Sequence, residues 1–136
     1  MRHAREFVRL TLLVLLAAVA ILPAGCGGPS AEHYVPDAAD ARRGLEAALT
    51  SWKNGERLKT ITALGTPVNV VDARWRAGKK LQSFEIVSEA PGNPHPVFTV
   101  KMRLAGQDND EETKYIVTGL NPILVFREQD YNVGAM

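Results

Sequence analysis

Phe98-Thr99-Val100-Lys101-Met102-Arg103-Leu104 is the stretch on which the fold turns. Apolar residues fall on every second position. Successive side chains of a strand point to opposite faces, so Phe98, Val100, Met102 and Leu104 share one apolar face while Thr99, Lys101 and Arg103 share a polar one. Upstream, from Lys80 onward, Phe84 and Ile86 alternate with Ser83, Glu85 and Val87 in a first strand. Downstream, Tyr115 and Val117 belong to a third strand and Ile123 to Arg127 to a fourth. The gaps carry turn chemistry: Ala90-Pro91-Gly92-Asn93-Pro94, Ala105-Gly106-Gln107-Asp108-Asn109-Asp110 and Gly119-Leu120-Asn121-Pro122. Gaps this short join antiparallel neighbours, so the C-terminal half reads as a meander.

A sheet with one apolar face needs a cover. The sequence supplies it between Ala38 and Asn54, where Ala41, Leu45, Ala48, Leu49 and Trp52 recur at helical spacing. Arg42, Arg43, Glu46 and Lys53 lie off that stripe. Pro36 and Asp37 provide an extended approach and a capping carboxylate. Asn54-Gly55 is a strong stop, because glycine takes the left-handed conformation without a Cβ penalty. Gly44 inside the helix disfavours it by about 1 kcal/mol relative to Ala. Between the helix and Lys80 the pattern is weaker. Leu58, Ile61 and Leu64, three apart, predict a short helix broken by Gly65-Thr66-Pro67. Val68 to Trp75 then reads as a short strand, Ala77-Gly78 as a turn, and Asp130 to Met136 as a loose tail.

The expected fold class is therefore α+β: one long N-terminal helix packed on an antiparallel meander of about four strands. That element order over residues 37–129 resembles the cystatin-like and nuclear-transport-factor-like superfamily. Local echoes lie in Leu49-Thr50-Ser51-Trp52-Lys53-Asn54-Gly55 and Asp72-Ala73-Arg74-Trp75-Arg76-Ala77-Gly78. The resemblance implies a curved sheet wrapped on a helix. Some members hold ligands or catalyse isomerisation in the concavity and many do neither, so fold does not carry function across.

The N-terminus reads as an address. Residues 1–9 hold Arg2, Arg5 and Arg9, and the 13 residues from Leu10 to Leu22 are free of charge. This is the order of n-region and h-region in a secretory signal, and it is short for a membrane span of about 20 residues. An uncleaved N-terminal anchor is the alternative. Leu22-Pro23-Ala24-Gly25-Cys26 resembles a bacterial lipobox, with Ala24 and Gly25 as the small residues before the cysteine and Pro23 where the family usually has an aliphatic. The resemblance implies a lipoprotein: Cys26 carries diacylglycerol and the chain is cut just before it. Ordinary cleavage competes, since Ala18-Val19-Ala20 and Ala24-Gly25-Cys26 both offer small residues. Residues 26–36 begin Gly27-Gly28-Pro29-Ser30-Ala31, a flexible tether whose root-mean-square reach is roughly 18 Å for about ten residues. Gly27 in place of Asp implies, by the same resemblance, no inner-membrane retention. The expected location is the bacterial cell envelope, at the outer membrane or periplasmic face.

The 136-residue chain has room for one domain. Its hydrophobic share of 46% and charged share of 23% are those of a globular protein. Without Arg2, Arg5, Arg9 and Glu6, 13 basic and 14 acidic side chains remain, a formal charge of −1. Nothing in that balance draws the domain to nucleic acid. Cys26 is the single cysteine, so no internal disulfide forms.

Chemistry-bearing motifs are sparse. Asp108-Asn109-Asp110-Glu111-Glu112 lacks the spacing and the glycine of a calcium loop and reads as a solvated hairpin tip. His3, His33 and His95 are dispersed, against the convergence a metal site needs. There is neither a Gly-x-Ser-x-Gly elbow nor a Gly-rich phosphate loop, so no catalytic residue, metal or cofactor is assigned. Arg74, Arg76, Lys79 and Lys80 surround Trp75 as a candidate contact for anions or lipid head groups. The competing reading is a solvated face with an arginine over the indole. The expected function is a non-catalytic binding or accessory domain whose partner is a protein or small ligand. The alternative is a small isomerase-like or cyclase-like enzyme using the concave face, with Glu85 or Glu89 in a pocket. Glu85 is out of phase with Phe84 and Ile86 and should face solvent.

Overall fold

The computed structural model describes residues 34–63 and 65–132. The expected signal, Cys26, His33 and most of the expected tether lie outside the described residues. The elements are helix α1 (Ala38–Lys53), strands β1 (Ile61–Ala63) and β2 (Thr66–Val71), a helical turn α2 (Ala73–Arg76), strands β3 (Leu81–Ala90), β4 (Val97–Leu104), β5 (Glu111–Thr118) and β6 (Ile123–Arg127), and a last turn α3 (Glu128–Tyr131). They form an α+β domain on one mixed sheet with strand order β1-β2-β6-β5-β4-β3.

Helix α1 forms where its stripe and caps place it. Asp37 is extended (φ −62°, ψ 159°) and its Oδ1 accepts from the Asp40 amide at 2.8 Å. Ala41, Leu45, Ala48, Leu49 and Trp52 are buried. Gly44 has a packing reason: a Cβ there would stand 3.2 Å from Ile123 Cγ2 on β6, so the helix lies close against the sheet at that point. The opposing apolar face comes from Phe98, Val100, Met102 and Leu104 on β4, Tyr115 and Val117 on β5, and Ile123 and Val125 on β6, all buried. Phe84 and Ile86 on β3 pack against this core from partly buried positions.

Strands β3 to β6 are the expected antiparallel meander, with Phe84 opposite Met102, Phe98 opposite Tyr115 and Val117 opposite Val125. The sheet does not end there. Strand β2 runs parallel to β6, from Val68 opposite Ile123 to Val71 opposite Phe126, and β1 folds back antiparallel on β2. The short helix expected through Leu58 and Ile61 is thus replaced by strand β1. Thr60-Ile61-Thr62 is β-branched throughout, and Gly65 (φ 73°) turns the chain so that Ile61 pairs with Val68. Thr66 and Pro67, expected as breakers, open β2, and its ladder to β6 begins just beyond the proline.

The strand expected from Val68 to Trp75 stops at Val71. Asp72 ends it by capping: its Oδ1 accepts from the Arg74 amide at 2.9 Å and the Trp75 amide at 3.3 Å, which winds the chain into α2. The tail expected from Asp130 onward is held for its first residues. Asp130 Oδ2 accepts from the Ala73 amide at 2.9 Å and from Arg127 Nε at 2.7 Å, and Tyr131 meets Phe126 edge to face at 5.2 Å. Residues 133–136 lie outside the described residues.

Candidate functional site

Two regions carry the polar and aromatic chemistry of the domain. The first is inside. Asp72, at the end of β2, is fully buried, and its Oδ2 accepts from the Tyr115 hydroxyl at 2.7 Å. Arg74 turns inward beside it. Its Nη2 is 3.3 Å from Asp72 Oδ2 and 3.3 Å from the Tyr115 hydroxyl, and its Nη1 pairs with Glu111. Burial, then the neighbouring Asp72, pushes the Tyr115 phenol well above its usual range. Burial alone would lower Arg74, but Tyr115, Asp72 and Glu111 outweigh it and hold the guanidinium above its ordinary value. Next to this network the Arg127 hydrogen bonds hold Asp130 below the usual carboxylate range. Every charged group in the network therefore has an opposite partner within the protein.

The space between helix and sheet is filled. Trp52, Phe98 and Tyr115 are at most 2% exposed, and Leu45, Leu49 and Met102 pack with them. Glu85 is exposed on β3. Glu89 lies further along the same strand, past a register shift between Ile86 and Ser88, within 4.0 Å of Arg42 at the surface.

The second region is a tryptophan clasp at the far end of α1. Helices α1 and α2 both terminate as Trp-x-x-Gly, with Gly55 and Gly78 each at φ 82°. Each end closes by the same pair of backbone bonds. Gly55 and Gly78 donate to Trp52 and Trp75, and Glu56 and Lys79 donate to Ser51 and Arg74, which satisfies carbonyls that a helix end otherwise leaves orphaned. The indoles of Trp52 and Trp75 stack with centroids 5.4 Å apart and planes 7° from parallel. Trp52 Nε1 donates to the Lys79 carbonyl at 2.7 Å, and Trp75 Nε1 donates to the Glu56 carbonyl at 2.8 Å. Each tryptophan thus ties down the turn that closes the other's helix. The arginine expected over an indole is Arg74, and it lies over Trp52, 5.8 Å from the centroid, rather than over Trp75.

A cleft of about 710 Å³ opens over this clasp, lined by Trp52, Glu56, Arg57, Trp75, Arg76, Lys79 and Lys80 among others. Of the four cations singled out from sequence, Arg76, Lys79 and Lys80 come together here and are exposed. Arg74 does not, because the buried carboxylate of Asp72 draws it inward. Arg57 is the member that sequence reasoning missed; the repeat itself signals it, since it follows Trp52 by the same interval at which Lys80 follows Trp75. Glu56 is engaged by Ser51 and Lys59, and the Ser51 hydrogen bond, followed by Lys59, holds it below its usual range.

The acidic stretch is less free than a solvated tip. Asp110 Oδ1 accepts from Arg103 Nε at 2.8 Å, and Glu111 reaches Arg74, while Asp108 and Asn109 are exposed. His95 sits between two prolines with Nδ1 buried and unpartnered. Among the described residues no three His, Cys, Asp or Glu converge on a metal position, and no helix is long and apolar enough to cross a membrane. No protein-family model matches the chain, and neither curated proteins nor solved structures give a significant match.

Proposed function

We propose that this chain is an envelope lipoprotein, tethered to a bacterial membrane through Cys26, whose single domain binds a partner at its outer surface and performs no catalysis. One observation carries the reading: the concave side of the sheet is occupied by Trp52, Phe98 and Tyr115, so a substrate has no room where an isomerase-like domain would hold it. The ionisable groups that do face inward, Asp72 and Arg74, neutralise one another instead of standing ready to move a proton. Glu85 and Glu89, the carboxylates weighed for acid–base work, are at the surface. A helix followed by a sheet in the order β1-β2-β6-β5-β4-β3 supports placing the domain with the cystatin-like and nuclear-transport-factor-like shapes, as one that recognises without reacting.

Two arms test the reading. Xenon applied to the protein should find no site between Leu45, Phe98 and Tyr115, because apolar cavities bind it and filled cores do not. A xenon site there would return the domain to the enzyme reading. Cys26→Ala, or globomycin during expression, should release the protein from the membrane fraction or leave the precursor at full size. Unchanged size and fractionation in both treatments would remove the anchor.

A further inference from the structure

We infer that the cleft over the tryptophan clasp is a binding site for a soluble small molecule bearing two or more phosphate groups. The inference deepens the proposed function, and for the direction in which the cleft faces it rests on the tether of that reading. Charge placement carries it. Among the described residues, Arg42, Arg43, Lys59, Arg74, Lys101, Arg103 and Arg127 each have a carboxylate partner. Arg57, Arg76, Lys79 and Lys80 have none, and all four line one cleft; of the remaining described cations, Lys53 and Lys114 alone lie outside its lining. A domain of formal charge −1 after loss of the signal thus gathers unneutralised positive charge in one concavity, where the field is focused rather than dispersed.

The clasp makes this a built arrangement. Arg57 and Lys80 stand at equivalent positions of the two Trp-x-x-Gly turns, one beyond Glu56 and one beyond Lys79, whose carbonyls receive the indole N–H bonds. The backbone on both walls is therefore pinned before any ligand arrives. A helix C-terminus ordinarily repels anions through its free carbonyls. Here the turn amides and the two indoles take up carbonyls at both ends, and the lining carboxylate, Glu56, is held by Ser51 and Lys59. Guanidinium groups grip phosphate oxygens in a bidentate fork, and ammonium groups act as mobile point charges beside them. The volume of about 710 Å³ is that of a small-molecule site.

The position of the tether separates a soluble ligand from a lipid head group. The chain enters the domain at Tyr34, whose carbonyl accepts from Gly119, ahead of the N-terminal end of α1. The cleft lies past the C-terminal end of that 16-residue helix, about 24 Å further along. A domain tethered at its N-terminus carries the cleft at the end remote from its anchor, which favours a soluble ligand.

The test titrates inorganic pyrophosphate into the full-length mature protein in neutral detergent micelles, by calorimetry at low salt. Saturable binding is expected with a dissociation constant of about 1 mM or below. Binding should weaken by about tenfold or more in Arg57→Gln/Lys80→Gln, and with added salt. Lys114→Gln, which removes an unpaired cation outside the cleft, should bind as the parent does. Unchanged melting temperatures keep the comparison sound, since these exposed side chains make no ion pair. Absence of pyrophosphate binding, or equal weakening in Lys114→Gln, overturns the inference. Binding to phosphatidylglycerol vesicles without pyrophosphate binding also overturns it and reassigns the cleft to lipid. A xenon site in the interior would defeat the proposed function without touching these titrations, so the two failures remain distinguishable.

Discussion

Removing the carboxylate of Asp72 is the most severe single change the polar interior offers. Asp72→Ala deletes the cap of α2, the acceptor of the Tyr115 hydroxyl and a counter-charge of Arg74 at once. A lost cap is worth about 1 kcal/mol. A buried hydroxyl left without a partner adds about 1–3 kcal/mol. Breaking a buried ion pair from one side is worth about 3–5 kcal/mol, but Arg74 keeps Glu111 and is 16% exposed, so solvent and the second carboxylate moderate that loss. These losses overlap because they share one side chain. The expected total is about 3–5 kcal/mol, a large part of the roughly 5–15 kcal/mol that holds a domain together. Urea unfolding followed by tryptophan emission reads it directly, since Trp75 sits on the helical turn that Asp72 starts. Asp72→Asn keeps an acceptor for the turn and the hydroxyl, and should lose clearly less than the alanine variant. A double-mutant cycle of Asp72→Ala with Tyr115→Phe should show coupling of about 0.5–3 kcal/mol. A loss below about 1 kcal/mol for Asp72→Ala, or simple additivity in the cycle, would refute the network as described.

Tyr115 adds a pH dependence. Its folded phenol is raised by burial and Asp72, whereas an unfolded phenol ionises near ~10. The folded state therefore holds its proton more tightly, and the stabilisation is complete below that value and declines as pH rises through it toward the folded value. Tyr115→Phe should flatten the alkaline limb of a stability-against-pH curve, and identical limbs in parent and variant would count against the buried phenol. Phe98→Ala should lower stability by about 3–5 kcal/mol in urea unfolding, because Phe98 is fully buried in the core cluster that includes Leu45, Leu49 and Trp52; a loss under about 1 kcal/mol would misplace the core face.

Periodicity made half of this fold legible. In β4, Phe98, Val100, Met102 and Leu104 all point inward as their alternation requires, and the stripe of α1 meets them. Residues 58–75 were legible only in part: the strand expected from Val68 exists as far as Val71, but three residues of β1 are too few to display a period, and β2 pairs with β6, whose position in the chain gives no local hint. Trp75 extends the apolar look of β2 past its end, and only the capping geometry of Asp72 shows that the chain has turned. At the candidate site, the Arg76, Lys79 and Lys80 cluster could be read from proximity in sequence, but the inward turn of Arg74 depends on Asp72, Glu111 and Tyr115 meeting in space. The doubled Trp-x-x-Gly stands in the sequence but passed unnoticed there, and that each half clasps the other could not be read, because the bonds cross from one turn to its counterpart.

The parallel seam between β2 and β6 orders events along the growing chain. Helix α1 and strands β1 and β2 are made first, yet Val68 to Val71 wait for Ile123 to Phe126, at the far end of the domain, before their second edge is covered. Until then the α1 stripe faces a sheet that lacks its central strand, and the Ala73 amide lacks Asp130. Such distant pairing slows folding and leaves apolar surface and strand edges open in the meantime. A chain released before Ile123 would hold α1 and most of the meander but none of the residues that pair with β2 across this seam, so completion of this domain is decided by its last strand.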